Sequence, residues 1–191
     1  FDGFVIKLNS EGELVWVQPI GGTDNDGAYA LRINSEGNLV IIGGFRGTVD
    51  FDPGPEITEI TAEESSDGFI LKLSSDGDFI SVATISGSTE RMLEMTIDES
   101  DNLYITGTYT NTTDFDPGED VFELTNIGEV DICILKLNAD DEFSWARSIG
   151  GGLEDDPSGI DVDDDGLYSI SGRVVSASGP ANISGTLECY L

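Results

Sequence analysis

Asp67-Gly68-Phe69-Ile70-Leu71-Lys72-Leu73 decides the fold, because the chain writes it three times. The first copy is Asp2-Gly3-Phe4-Val5-Ile6-Lys7-Leu8 and the third is Asp131-Ile132-Cys133-Ile134-Leu135-Lys136-Leu137. Lys7, Lys72 and Lys136 are the only lysines, and each takes the same place in the motif. In the first copy Phe4, Ile6 and Leu8 alternate with Lys7, which is the two-residue period of a strand with one apolar face. Self-similarity at this spacing points to stacked structural units.

The copies stay alike on either side of the motif. A short turn follows, then Glu13-Leu14-Val15-Trp16-Val17, Asp78-Phe79-Ile80-Ser81-Val82 or Glu142-Phe143-Ser144-Trp145-Ala146. Each is closed by a glycine-bearing turn: Gly21-Gly22, Ser86-Gly87 or Gly150-Gly151-Gly152. Apolar segments at 28–33, 92–97 and 159–162 come next. Acidic turns then lead into Asn38-Leu39-Val40-Ile41-Ile42-Gly43, Asn102-Leu103-Tyr104-Ile105-Thr106-Gly107 and Gly166-Leu167-Tyr168-Ser169-Ile170-Ser171-Gly172. Short β-branched and aromatic segments punctuated by Gly, Asp, Asn and Ser read as strands and hairpins. Gly12, Gly37 and Gly77 sit where tight hairpins need a positive φ. Four strands per repeat predict an all-β fold, an arc of a β-propeller made of four-stranded antiparallel blades.

Two copies carry an insert, Asp50-Phe51-Asp52-Pro53-Gly54 and Asp114-Phe115-Asp116-Pro117-Gly118. It reads as a hairpin extension with a type II Pro-Gly turn, returning as strand at 57–60 and 121–124, its acidic flanks guarding the edge. The third copy has Gly179-Pro180 instead.

Taken together, Asp-x-Phe-Val-x-Lys-Leu, an aromatic strand, Gly-Gly, Gly-Asn-Leu-Tyr-Ile-Thr-Gly and Asp-Phe-Asp-Pro-Gly resemble the SBBP-type β-propeller repeat of bacteria and archaea, over nearly the whole chain. The resemblance implies a secreted or cell-surface protein and a scaffold or binding role. It also implies that the strand before the Asp-x-x-Gly-Asn turn is the innermost of its blade. Strand A is then 92–98, B 102–109, C 131–138 and D 142–149. On this frame residues 1–26 are strands C and D of a partial blade. Residues 27–86 are a whole blade with a 46–66 extension, and 87–150 a second with a 110–130 extension. Residues 151–191 are strands A and B of another, with Glu188-Cys189-Tyr190-Leu191 opening a strand C. Two whole blades and two halves fall short of the four to eight of a closed propeller. The expectation is therefore a length taken from a larger wheel, or else a protomer completing a ring with copies of itself.

Composition narrows the partners. The net charge of −30, from 38 acidic and 8 basic residues, argues against nucleic acid and anionic membranes, which need a basic face. No apolar run approaches the ~18 residues of a membrane helix. With no histidine, Ser-His-Asp and Cys-His catalysis are excluded. Cys133 and Cys189 make neither a disulfide framework nor a Cys/His zinc site, though they leave one disulfide open. Asn111-Thr112-Thr113 and Asn182-Ile183-Ser184 match the N-glycosylation triplet.

The candidate metal ligands are Asp161, Asp163 and Asp165 of Asp161-Val162-Asp163-Asp164-Asp165-Gly166. Alternating carboxylates with a turning glycine suit calcium, a hard cation that prefers oxygen. The competing reading is an acidic turn between strands A and B. Asp50 with Asp52, and Asp114 with Asp116, form carboxylate pairs that read either as turn caps or as the equipment of a glycosidase. The three lysines read as packed stems with heads on nearby carboxylates, and Trp16 and Trp145 as packing between blades. The predicted function is a non-enzymatic extracellular scaffold or adhesion module, calcium-stabilised, with protein or glycan partners. The alternatives are part of a secreted carbohydrate-active enzyme and a self-associating filament subunit.

Overall fold

A computed structural model describes residues 1–63, 65–163 and 165–175. Gly179-Pro180, the second glycosylation triplet, Cys189 and the 188–191 segment lie outside the described residues. No helix occurs among the described residues. The strands are β1 (Gly3–Leu8), β2 (Leu14–Gly22), β3 (Gly27–Ile33), β4 (Leu39–Phe45), β5 (Thr48–Asp50), β6 (Glu59–Thr61), β7 (Asp67–Leu73), β8 (Phe79–Ile85), β9 (Gly87–Ile97), β10 (Leu103–Asp114), β11 (Glu123–Thr125), β12 (Asp131–Leu137), β13 (Phe143–Ile149), β14 (Asp156–Val162) and β15 (Tyr168–Arg173). Every pairing between them is antiparallel.

Sheet I is β1-β2-β5-β6, in which β5–β6 extends the β1–β2 hairpin; sheet II is β3-β4-β7-β8, sheet III is β11-β10-β12-β13 with β9 also paired to β10, and sheet IV is the pair β14–β15. Sheets II and III are built to one pattern. Leu39 lies opposite Leu73 and Gly43 opposite Phe69 in sheet II, as Leu103 lies opposite Leu137 and Gly107 opposite Cys133 in sheet III. Gly43 and Gly107 mark a close approach: a Cβ there would come to 2.0 Å from Gly27 O and 2.1 Å from Arg91 O. Only glycine fits, and the neighbouring strand is irregular at both places.

One tight turn serves six hairpins. In 9–13, 34–38, 74–78, 98–102, 138–142 and 163–167 the first residue's N–H donates to the fifth carbonyl, and the fourth N–H donates to the first carbonyl. The first side chain, from Asn, Ser or Asp, accepts the N–H of the third and fifth residues. The fourth residue is left-handed: Gly12, Gly37, Gly77 and Gly166 have φ of 82°, 83°, 88° and 78°. Asp101 and Asp141 take the same place at φ 61° and 63°, which aspartate tolerates better than most residues.

The sheets stack face to face, and the core lies between them in three layers. Val5 and Ile20 of sheet I bury against Leu39, Ile41, Phe69, Leu71 and Leu73 of sheet II. Val40, Ile42, Ile70 and Ile85 on the other face of sheet II bury against Met95, Leu103, Ile105, Leu135 and Leu137 of sheet III. Tyr104 and Ile134 of sheet III meet Ile160 of sheet IV, with Trp145, Tyr168 and Ile170 around them. Being covered on both faces, β4 reads as an unbroken apolar run, Leu39-Val40-Ile41-Ile42.

The Asp-Phe-Asp-Pro-Gly inserts differ from the sequence expectation. The returning strands are β6 and β11, two residues later than predicted, because 51–58 and 115–122 form closed loops. Phe51 and Thr58 pair through the backbone, as do Phe115 and Phe122. Neither Gly54 nor Gly118 has the positive φ that a type II turn requires. Aspartates hold the bend instead. Asp50 Oδ1 accepts from Asp52 and Thr58, and Asp52 Oδ1 accepts from Gly54 at 2.6 Å. Asp114 and Asp116 repeat these contacts.

Candidate functional site

The residues that the repeat places with most regularity lie where one sheet meets the next. Each insert is a strap: β5 pairs with the tail of β2, opposing Gly21 to Asp50 and Gly22 to Val49. Likewise Asp114 N–H donates to Ser86 O and Thr113 opposes Gly87, just past the end of β8. Phe51 and Phe115 are buried plugs, each edge-on to the aromatic ring six residues before it. Both pairs, Phe45–Phe51 and Tyr109–Phe115, have centroids 5.2 Å apart at 87°. The loop buries each phenylalanine between two aspartates.

Lysines span the same junctions. Lys7 Nζ of sheet I donates to Ser75 O in the β7–β8 turn at 2.5 Å. Lys72 Nζ of sheet II reaches the β12–β13 turn, 2.7 Å from Asp141 Oδ1 and 3.4 Å from Ala139 O. Lys136 of sheet III lies 4.8 Å above the Tyr104 ring. They do not form a common cationic ring. Trp16 Nε1 donates to Ser75 O at 3.4 Å and Gln18 Nε2 to Gly77 O at 3.3 Å. Trp145 stacks obliquely on Tyr168 of sheet IV, 5.2 Å between centroids. At the same rim Ser35 of the β3–β4 turn bonds through its N–H and hydroxyl to Asp101 of the β9–β10 turn.

Buried carboxylates pin the corners. Asp26 accepts from Gly22 N–H at 2.7 Å and Arg46 N–H at 2.9 Å, and Asp155 accepts from Gly151 at 2.7 Å and Val175 at 2.6 Å. Each thereby ties the tail of one sheet to the segment that follows the second strand of the next, β4 or β15. Asp67 accepts from Glu63 at 3.1 Å and Gly87 at 3.3 Å. Asp131 accepts from Ile127 and Ser148 through Oδ2, while its buried Oδ1 has no partner. Burial pushes the Asp131 carboxyl above its usual range, with a smaller push from Asp155, against the pull of Ile127 and Ser148. These corner aspartates were not singled out in the sequence. Their signal is spacing: Asp26 and Asp155 each stand four residues after a Gly-Gly pair.

Of the candidate metal ligands, Asp163 accepts the N–H groups of Asp165 and Leu167 at 3.0 and 2.8 Å, as the equivalent residue does in the other five turns. Asp161 is exposed and accepts only from Val162 within the described residues. Among the described residues no three acidic, cysteine or histidine side chains converge as a metal-binding group. Asp98, in the equivalent turn of sheet III, shows what these side chains do. Desolvation pushes its carboxyl up, but Asn102, Ser100 and the Tyr104 hydroxyl outweigh it and hold the carboxyl below its usual value. Cys133 is unpaired and buried, its thiol pushed up to about 12 by burial, so it is an inert core residue. No helix among the described residues is long and apolar enough to cross a membrane. No family model and no curated protein matches this sequence.

Proposed function

We propose that the four-stranded sheets are blades of a β-propeller, and that the chain serves as a non-enzymatic extracellular or cell-surface scaffold or adhesion module. The observation that carries the blade reading is the repeated junction. Face packing and a forward-reaching lysine recur from sheet I to II and from II to III, as blades related by a common rotation would require. The resemblance to SBBP-type repeats supports the same architecture. The polar side chains of the inserts and corners are engaged by backbone amides, which suits a rigid frame better than a reaction centre. The acidic outer surface, with exposed loops at both rims, is what a protein or glycan partner would meet.

The test is binding against turnover. Capture of an immobilised glycan or surface protein, with no hydrolysis of glycoside substrates, supports the scaffold. Glycoside hydrolysis that disappears in Asp50→Asn or Asp114→Asn would overturn it. Calcium belongs to the same reading, at Asp161, Asp163 and Asp165. A melting temperature raised by millimolar calcium and lost in Asp161→Asn with Asp165→Asn supports it; no shift removes the metal.

A further inference from the structure

We infer that the corner between Asp131 and Asp155 is a proton-operated latch: the crossover from sheet III to sheet IV stays docked while Asp131 is a neutral acid, and lifts when Asp131 ionises. The crossover is residues 150–155, and its backbone lies against the start of β12. Asp155 N–H donates to Val130 O at 3.0 Å, and Val130 and Glu154 form a parallel bridge. Both carboxyls are out of water, Asp131 at 1% exposure and Asp155 at 0%.

The two carboxyls compete for one amide. Gly68 lies opposite Ile85 and Ile132 opposite Ile149, so Asp131 stands where Asp67 does and Gly151 where Gly87 does. In the sheet II corner Gly87 N–H donates to Asp67 Oδ1 and Glu63 N–H to Oδ2, and both oxygens are met. In the sheet III corner Gly151 gives its N–H to Asp155 Oδ2 instead, and Val175 N–H serves Asp155 Oδ1. Asp131 Oδ2 keeps Ile127 N–H and the Ser148 hydroxyl, while Oδ1 is left buried with no partner.

The surroundings of Asp131 offer its ionised form no relief. The carboxyl lies against Gly150, where a Cβ would fall 2.1 Å from Asp131 Cγ and 2.2 Å from Oδ1. From β10 comes Tyr109, whose hydroxyl donates to Ser148 of β13 and is pushed up to about 12, chiefly by burial. β12 itself contributes the buried thiol of Cys133. The crossover contributes Asp155, whose negative charge adds to the push of burial on Asp131. The ion pairs among the described residues, Lys72–Asp141 and Arg173–Asp156, include neither carboxyl of the corner. An ionised Asp131 is therefore a buried charge beside another of its own sign, relieved either by a proton or by opening to water. A proton is the cation that needs no further ligands to sit there. Because the folded value is raised, the docked state is favoured in full below the unfolded carboxyl value near ~3.9. It loses that advantage as pH rises through the raised value.

The test uses the full chain. Carbon NMR of the aspartate carboxyls should find Asp131 titrating above the free-aspartate value, and a midpoint at or below that value overturns the latch. Hydrogen exchange at the Gly151, Asp155 and Val175 amides, divided by the intrinsic rate at each pH, reads the opening itself. In the parent, opening should grow by up to ~tenfold per pH unit through the Asp131 titration, the limit for one proton. In Asp131→Asn, which keeps the shape and cannot ionise, opening should not change with pH. The Ile70 and Leu71 amides of sheet II should not respond in either protein. Parent opening that stays flat, or a slope that Asp131→Asn shares, overturns the proposal. If Asp131→Asn does not fold, the parent decides alone: the exchange and carboxyl midpoints must coincide, and midpoints that differ overturn the latch.

Discussion

Phe4 and Phe69 hold the same place in the same motif, and they could hardly be treated more differently. Phe4, Ile6 and Leu8 are 64%, 47% and 50% exposed, whereas Phe69, Leu71 and Leu73 are 0%, 1% and 0% exposed. The local structure is the same in both: an antiparallel hairpin with an irregularity after the lysine and a three-residue turn. What differs is the sheet in front. Sheet II has sheet I against that face, and sheet I has nothing there among the described residues. The motif therefore encodes a surface meant for another repeat, and its strand geometry forms whether or not that repeat is present.

The largest break in this comparison comes from truncating the two phenylalanines. Phe69→Ala should cost about 3–5 kcal/mol in urea unfolding, the usual cost of a cavity in a packed core. Phe4→Ala should cost less than about 0.5 kcal/mol. Equal costs would mean that the exposed face is covered in solution by some other part of the chain.

The corner aspartates come next. Asp155→Ala leaves the N–H groups of Gly151 and Val175 without acceptors, and should cost about 1–3 kcal/mol. The exposed Asp2, the first-copy counterpart of Asp67 and Asp131, should be replaceable by Ala at no measurable cost. Hydrogen exchange at Gly151 reports the same loss locally.

A pH titration sharpens the contrast between buried and exposed carboxylates. Asp131 is raised in the folded state, so its contribution is fully present below the unfolded carboxyl value near ~3.9 and is lost as pH rises through the raised value. Relative to Asp131→Asn, the parent should lose stability over that rise. Asp98 is lowered, so Asp98→Asn should show the reverse: the parent's advantage is present above the unfolded value and is lost as pH falls through the lowered one. Denaturant midpoints of the three proteins between pH 3 and 7 check both signs.

The smallest effect is that of the junction lysines. Lys72→Met removes a half-buried ion pair with Asp141 and should cost about 0–1 kcal/mol, declining with added salt. Lys136→Met gives up only the contact with the Tyr104 ring and should cost less than about 1 kcal/mol.

The strands were legible because period, turn chemistry and repetition agreed. Asn9, Asn34, Ser74, Asp98, Asn138 and Asp163 all begin the same turn, and the sequence marks each with an oxygen-bearing side chain. Asp161-Val162-Asp163 looked like metal chemistry for the same reason, since a turn cap and a calcium loop ask for the same residue types. The junction chemistry was harder to read. Phe51 lies among acidic residues in a Pro-Gly loop, which locally says surface; its burial against Phe45 depends on where β5 docks, a non-local fact. Asp26 and Asp155 likewise acquire partners only when two sheets meet.

The straps also give the fold a direction in time. Strand β5 finishes on the tail of β2, and the end of β10 finishes beside the segment that follows β8. The docking partners of both straps, the tail of β2 and Ser86, precede in the chain the strands that reach them. During synthesis the docking site for each strap emerges from the ribosome ahead of the strap itself. The repeat can therefore lock behind the growing end, one sheet at a time, without waiting for the whole chain.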